Sequence, residues 1–181
     1  GLFIDAHVAE NIFAAIQADT GSFVYDNTTP GAMMIAAEML EYGIRPWEIS
    51  RKFLNEYSLS WLRLLAMCLE TIELHHGGAI GMITVSLEMQ DGADDVDGGR
   101  LVEYPRLLSG VEVAVLIKET GEGEYRVSLR SNSRVNVAVL ASLFGGGGHS
   151  RAAGFDWQGS MERLKESFLE AAVRFLDEKP I

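Results

Sequence analysis

The sequence predicts an α/β protein in two pieces, a mainly helical N-terminal part and a smaller part made of a mixed sheet plus helices. Three observations carry this expectation. Apolar residues recur at helical intervals through residues 1–75. The pattern changes at "HHGGAIGMITVSLEM", where a β-prone run follows two histidines and two glycines. Beyond it, two apolar or alternating runs flank "TGEG", as in a β-hairpin. The boundary is placed so that the pieces cover residues 1–75 and 76–181.

The elements follow in order. "DAHVAENIFAAIQ" spaces Val8, Ile12 and Ile16 for a helix that Asp5 can cap. "ADTGSFVYDNTTP" is turn-rich, with a short β-prone fragment at residues 23–25. Pro30 opens a second helix that Gly43 closes. "RPWEISRKFLNEY" reads as a third helix with Pro46 in its first turn. "SLSWLRLLAMCLETIELHH" reads as a longer fourth one, capped by Ser58 or Ser60. Residues 75–78 read as a linker and residues 79–87 as a strand. "QDGADDVDGGR" is an acidic loop or helix start, and the hairpin "VEVAVLIKE" to "EYRVSLRSN" comes next. "VNVAVLASLF" is a helix ending at the glycines, and "RAAGFDW" is a strand. The last helix turns Met161, Leu164, Phe168, Ala171 and Phe175 inward. The first piece has no sheet of its own, so the chain is expected to begin partway through a larger domain.

Composition narrows the function. The 181 residues carry a net charge of −11, so the protein repels a long polyanion, and long nucleic acid is not an expected partner. No run approaches the roughly 20 apolar residues of a membrane span, and no signal peptide is evident. Cys68 is the single cysteine, which excludes an internal disulfide and fits a cytoplasmic protein. The charge is uneven. Residues 125–155 hold no Asp or Glu but include Arg126, Arg130, Arg134, His149 and Arg151. That window also holds "GGGGHSRAAG", four consecutive glycines before a histidine.

Two constellations carry chemistry. In "ADTGSF", Asp19 sits at a tight turn where its carboxylate could ligate a hard cation such as Mg²⁺ or Mn²⁺. On spacing alone, an Asx-turn with Thr20 and Ser22 bonding the local backbone is the stronger reading. His7 reads as a surface residue, and His75 and His76 as a solvated linker pair. In the second constellation, the glycine run offers consecutive amides that can form an anion-binding nest, and His149 adds a donor. The neighbouring strand projects Arg126, Ser128 and Arg130 from one face, where arginine forks suit phosphate oxygens. Ala152, Ala153 and Gly154 keep the adjoining wall low enough for a planar base. The coincidence of glycines, arginines and missing acids points to a local anion site.

"SLRSNSRVNVAVLASLFGGGGHSRAAG" resembles the signature of the DHH-associated C-terminal domain, and "GVEVAVLIKE" resembles its central strand. "AENIFAAIQADTGSFVYDNTTP" resembles the last metal-ligand motif of the DHH phosphoesterases. The subgroup most similar is the NrnA-like bifunctional oligoribonuclease and phosphoadenosine-phosphate phosphatase type. The resemblance implies the helical end of a DHH domain followed by the associated domain. It implies a pair of Mn²⁺ ions, with Mg²⁺ as the substitute, and short oligonucleotides or 3′-phosphoadenosine-5′-phosphate as substrates. Asp19 is then a metal ligand, while Arg130, Ser131, Gly146, Gly147, Gly148 and His149 contact substrate. A homodimer is among the expected partners. The Asp-His-His triplet is absent, so the chain is expected to be part of a longer enzyme and inactive by itself. The alternatives are a cyclic-dinucleotide phosphodiesterase and a non-catalytic nucleotide- or RNA-binding module.

Overall fold

A computed structural model describes residues 4–54, 57–91, 98–132 and 135–178. The chain divides into two compact units, Gly1–Tyr57 and Ser58–Ile181. The division falls ahead of the fourth helix rather than after it. That helix buries Trp61, Leu64 and Cys68 in the sheet-bearing unit, so its apolar stripe belongs there.

Among its described residues the first unit holds three helices. In α1 (Ala6–Asp19), the Asp5 side chain accepts from the Val8 amide at 2.9 Å. Thr29 caps α2 (Pro30–Leu40), which has Pro30 in its first turn. The third is α3 (Pro46–Leu54). Ala9, Phe13, Ala36, Met39 and Ile49 form the core of this unit. Residues 23–25, expected as a strand fragment, form part of a turn. Gly21, Ser22 and Phe23 have φ of 56°, 60° and 68°, a left-handed run that cannot extend.

The second unit opens with α4 (Leu59–Glu70), capped by Ser58. Its helix stops well short of the predicted end. The Thr71 hydroxyl donates to the carbonyls of Cys68 and Thr84 and accepts from the Thr84 amide, which turns the chain into a strand. That strand is β1 (Glu73–His75), paired antiparallel with β2 (Ile80–Val85). The expected linker at residues 75–78 is therefore a turn inside the sheet, with Gly77 and Gly78 at φ of 65° and 94°. Three short helices follow: α5 (Leu87–Gln90), α6 (Gly98–Leu101) and α7 (Glu103–Arg106). Most of the acidic segment, residues 92–97, lies outside the described residues, as does Arg134. The hairpin of β3 (Val113–Gly121) and β4 (Glu124–Ser131) leads to α8 (Val137–Ser142). The chain closes with β5 (Gly147–His149), β6 (Ala152–Gln158) and α9 (Met161–Glu178).

The six strands form one mixed sheet in the order β1-β2-β3-β4-β6-β5. β2 and β3 are parallel, and the other neighbours are antiparallel. One face of β2, β3, β4 and β6 packs on α8 and α9. Val115, Val127, Phe155, Leu140 and Phe168 are buried there. Fully burying each such side chain contributes roughly 1.5–3 kcal/mol. The inward stripe of α9 is Leu164, Phe168, Ala172 and Leu176, while Met161, Ala171 and Phe175 are only half-buried. On the other face, α4, α6 and α7 cover β2 and β3 through Leu64, Leu101, Val102 and Leu116. That second core includes no residue of β4, β6 or β5 among the described residues. Among the described residues, one face of β4, β6 and β5 thus carries no apolar cover, and the candidate site lies on it.

Candidate functional site

Strand alternation sorts the side chains of β4. Tyr125, Val127, Leu129 and Ser131 are buried on the α9 face, so Arg126, Ser128 and Arg130 take the open one. The register extends this face across the sheet in rows. Arg130 stands opposite Ala152, which stands opposite His149. Ser128 stands opposite Gly154, which stands opposite Gly147. Arg126 stands opposite Asp156. Arg130 and His149 thus flank the low Ala152 wall two strands apart, about 9.5 Å between their backbones. Beside that row a trough of about 370 Å³ is lined by Arg126, Ser128, Gly146, Gly147, Gly154 and Asp156, among others.

The glycine run does three different jobs. Gly145, at φ 78°, ends α8, its amide bonding the Ser142 carbonyl at 3.2 Å, and the Gly146 amide bonds the Ala141 carbonyl at 3.0 Å. These two amides close the helix, so the four glycines do not present a continuous nest. Gly146 is glycine because a Cβ would lie 2.2 Å from the Gly154 carbonyl oxygen. Gly148 is glycine because its φ is 145° and a Cβ would meet the Ala152 carbonyl oxygen at 2.6 Å. At Gly147 neither reason applies: its φ is not left-handed, and a Cβ would find nothing within 4 Å. That open space belongs to the trough.

The predicted substrate residues therefore separate. Arg130, Gly147 and His149 share the open face, and Gly146 lines its edge. Gly148 faces the other way, opposite Ala153. Ser131 does too: it is 1% exposed, and its hydroxyl donates to the Glu112 carboxylate at 3.4 Å. Arg130 is fixed at two points. Its Nε pairs with Glu103 on α7 at 3.4 Å, and its Nη1 donates to its neighbour Leu129's carbonyl at 3.0 Å. The same Glu103 binds Arg106 at 2.8 Å. The sequence carries no signal for Glu103, because its partner Arg130 lies on β4, with the whole of β3 between them in the chain. Asp156 was equally hidden, and only the β4–β6 register brings it to Arg126, at 3.0 Å.

Asp19 ends α1 in the first unit. Asn27 Nδ2 donates to both its backbone carbonyl and its carboxylate, each at 3.0 Å. Thr20 hooks the turn, donating to the Ile16 carbonyl and accepting from the Phe23 amide. Left-handed Ser22 and Phe23 cost roughly 1–3 kcal/mol each, strain of a kind that clusters at functional sites. Among the described residues no group of three or more His, Cys, Asp or Glu side chains could hold a metal ion. One carboxylate does not make a two-metal centre, so the metal pair implied by the resemblance does not fit on these residues alone. The histidines at residues 75 and 76 pair with single carboxylates, His75 with Glu73 and His76 with Asp177. No helix among the described residues is long and apolar enough to cross a membrane.

Comparison with known proteins places the chain. It is 35% identical over 167 residues to the bifunctional oligoribonuclease and PAP phosphatase NrnA of Thermus thermophilus, covering 92% of this chain and 50% of that protein. It is 31% identical over 170 residues to the A-adding tRNA nucleotidyltransferase of Aquifex aeolicus, covering 92% of this chain and 20% of that one. The crystal structure of an exopolyphosphatase-related protein from Bacteroides fragilis superposes with a TM-score of 0.86 at 30% identity, covering 95% of this chain and 51% of that chain. The chain thus spans about half the length of its NrnA relatives. The DHHA1 domain profile matches residues 80–178, more than half the chain, and takes in the sheet from β2 onward, the glycine run and α9. This chain belongs to the DHHA1 domain family.

Proposed function

We propose that the second unit is the nucleotide-holding part of a phosphoesterase that hydrolyses short oligoribonucleotides and 3′-phosphoadenosine-5′-phosphate. The observation that carries this reading is the trough on the open face, where Gly147 leaves room that no packing requirement explains. The named activities of the Thermus relative support it. Arg130 is held by Glu103 and Leu129, which leaves Nη2 to donate to a phosphate oxygen. His149, exposed on the edge strand, donates from the far side of Ala152. A base or sugar lies against the bare backbone of Gly147 and Gly154. The net charge of −11 favours a short ligand held locally over a long strand.

Asp19 is the candidate metal ligand, and a Mn²⁺ pair would take its other ligands from outside the described residues. Such a pair, when bound, would supply the activation of a water for attack on a phosphoester. A second reading, a non-catalytic RNA-binding module, is favoured by the match to the Aquifex tRNA nucleotidyltransferase.

Calorimetric titration with a 5′-phosphorylated diadenylate tests the site. Arg130→Ala should weaken binding by tenfold or more, the effect of losing a charge-assisted bond of roughly 1.5–3 kcal/mol. Arg51→Ala, on the exposed surface of α3, should leave it unchanged. Equal affinities for the two variants refute the placement. In the full-length protein with Mn²⁺, Asp19→Ala should remove most of the hydrolysis rate. Tight tRNA binding without hydrolysis would favour the second reading.

A further inference from the structure

We infer that the Arg126 end of the trough is a subsite for a second nucleotide, so that the site selects dinucleotides and longer ligands over mononucleotides. The inference rests on reading the trough as a nucleotide site. The trough extends toward Arg126, which lines it, whereas Arg130 does not. Both arginines project from the same face of β4, four residues apart, or about 13 Å along the strand. A single phosphate group is smaller than that span, so a ligand that engages both arginines carries two phosphates, and the long side chains have the reach to lean toward each other and meet them. Between them the floor is Ser128, Gly154 and Gly147, a short hydroxyl and bare backbone on which a sugar or base can rest.

The two arginines are prepared differently. Arg130 is tied at Nε and Nη1 and is mostly shielded. Arg126 is tied only at Nε, by Asp156 Oδ1 at 3.0 Å, and its side chain is 67% exposed. Its two terminal nitrogens have no partner among the described residues and form the bidentate edge that a phosphate takes. The Asp156 pair is too exposed to hold Arg126 against such a ligand. It steers the guanidinium instead.

The test compares adenosine 5′-monophosphate with 5′-phosphorylated diadenylate by calorimetry on the wild-type chain, Arg126→Ala, Arg126→Lys and Arg130→Ala. Arg126→Ala should weaken the dinucleotide roughly tenfold and leave the mononucleotide unchanged. Its dinucleotide affinity should also depend less on salt, the logarithmic slope falling by about 0.7. Arg126→Lys should restore only part of the affinity, because an ammonium keeps the charge without the bidentate edge. Equal losses for the two ligands, or no loss for the dinucleotide, overturn the subsite. Arg130→Ala should weaken both ligands. If it weakens neither while Arg126→Ala stays selective, the subsite stands and the Arg130 phosphate position fails. If the wild-type chain binds neither ligand, both readings fail.

Discussion

Alanine at each of Gly146, Gly147 and Gly148 should separate folding from binding. The three residues are identical in sequence and differ in what a Cβ would meet. At Gly146 it would lie 2.2 Å from the Gly154 carbonyl oxygen and 2.5 Å from Phe155 Cβ, positions on a paired strand that cannot move aside cheaply. Overpacking of this kind costs roughly 1–3 kcal/mol. For a chain of this size the melting temperature should fall by roughly 2–12 °C. Gly148→Ala adds a backbone penalty of roughly 1–3 kcal/mol, since φ there is 145°. It should be the least stable of the three. Gly147→Ala meets nothing within 4 Å at an ordinary φ. It should be neutral or stabilising by about 0.4–1 kcal/mol, through loss of freedom in the unfolded chain. Gly147→Val fills the trough more fully and should abolish diadenylate binding while melting near the wild type. Circular dichroism melts and calorimetric titration of the same samples read both effects. Normal binding by Gly147→Val would refute the site, and a Gly147→Ala melt as low as that of Gly148→Ala would refute the geometry.

Two further predictions concern titration in the second unit. Burial of Cys68 on α4 pushes its thiol up to about 11 from an ordinary 9.0. The unfolded chain therefore loses this proton first, and stability should fall as pH rises from 9 toward 11. Urea unfolding at pH 8 and pH 10 should show a steeper decline for the wild type than for Cys68→Ala, and parallel declines would count against burial as the cause. The Lys165 ammonium, 2.6 Å from Glu73, holds that carboxyl below its ordinary 4.5. A depressed carboxyl stabilises the fold above about pH 4.5, and the contribution is lost as pH falls through the folded value. Lys165→Met should be less stable than the wild type at pH 7, with the gap closing in acid. A gap of the same size at pH 3 would contradict the assignment.

Much of the fold was legible because helices and hairpins are local. Asp5 and Ser58 cap the helices they precede, and "TGEG" joins β3 to β4 as its glycines suggest. The errors arose where a distant partner decides. Thr71 ends α4 because Thr84, thirteen residues on, takes its hydroxyl. β5 is a strand only because β6 offers an edge, since "GGH" has no β propensity of its own. The site divides in the same way. Alternation along β4 was enough to place Arg126, Ser128 and Arg130 on one face. It could equally have sent Ser131 to the far side, where the structure buries it beside Glu112. The sequence by itself determined the helical and hairpin segments, the acid-free stretch and the family signature, because each depends on residues close together in the chain. Tertiary structure alone decided which glycine is bare for a ligand, which carboxylate steers which arginine, and which sheet face stays open. Those depend on register between strands and on where the helices pack, and no local interaction encodes them.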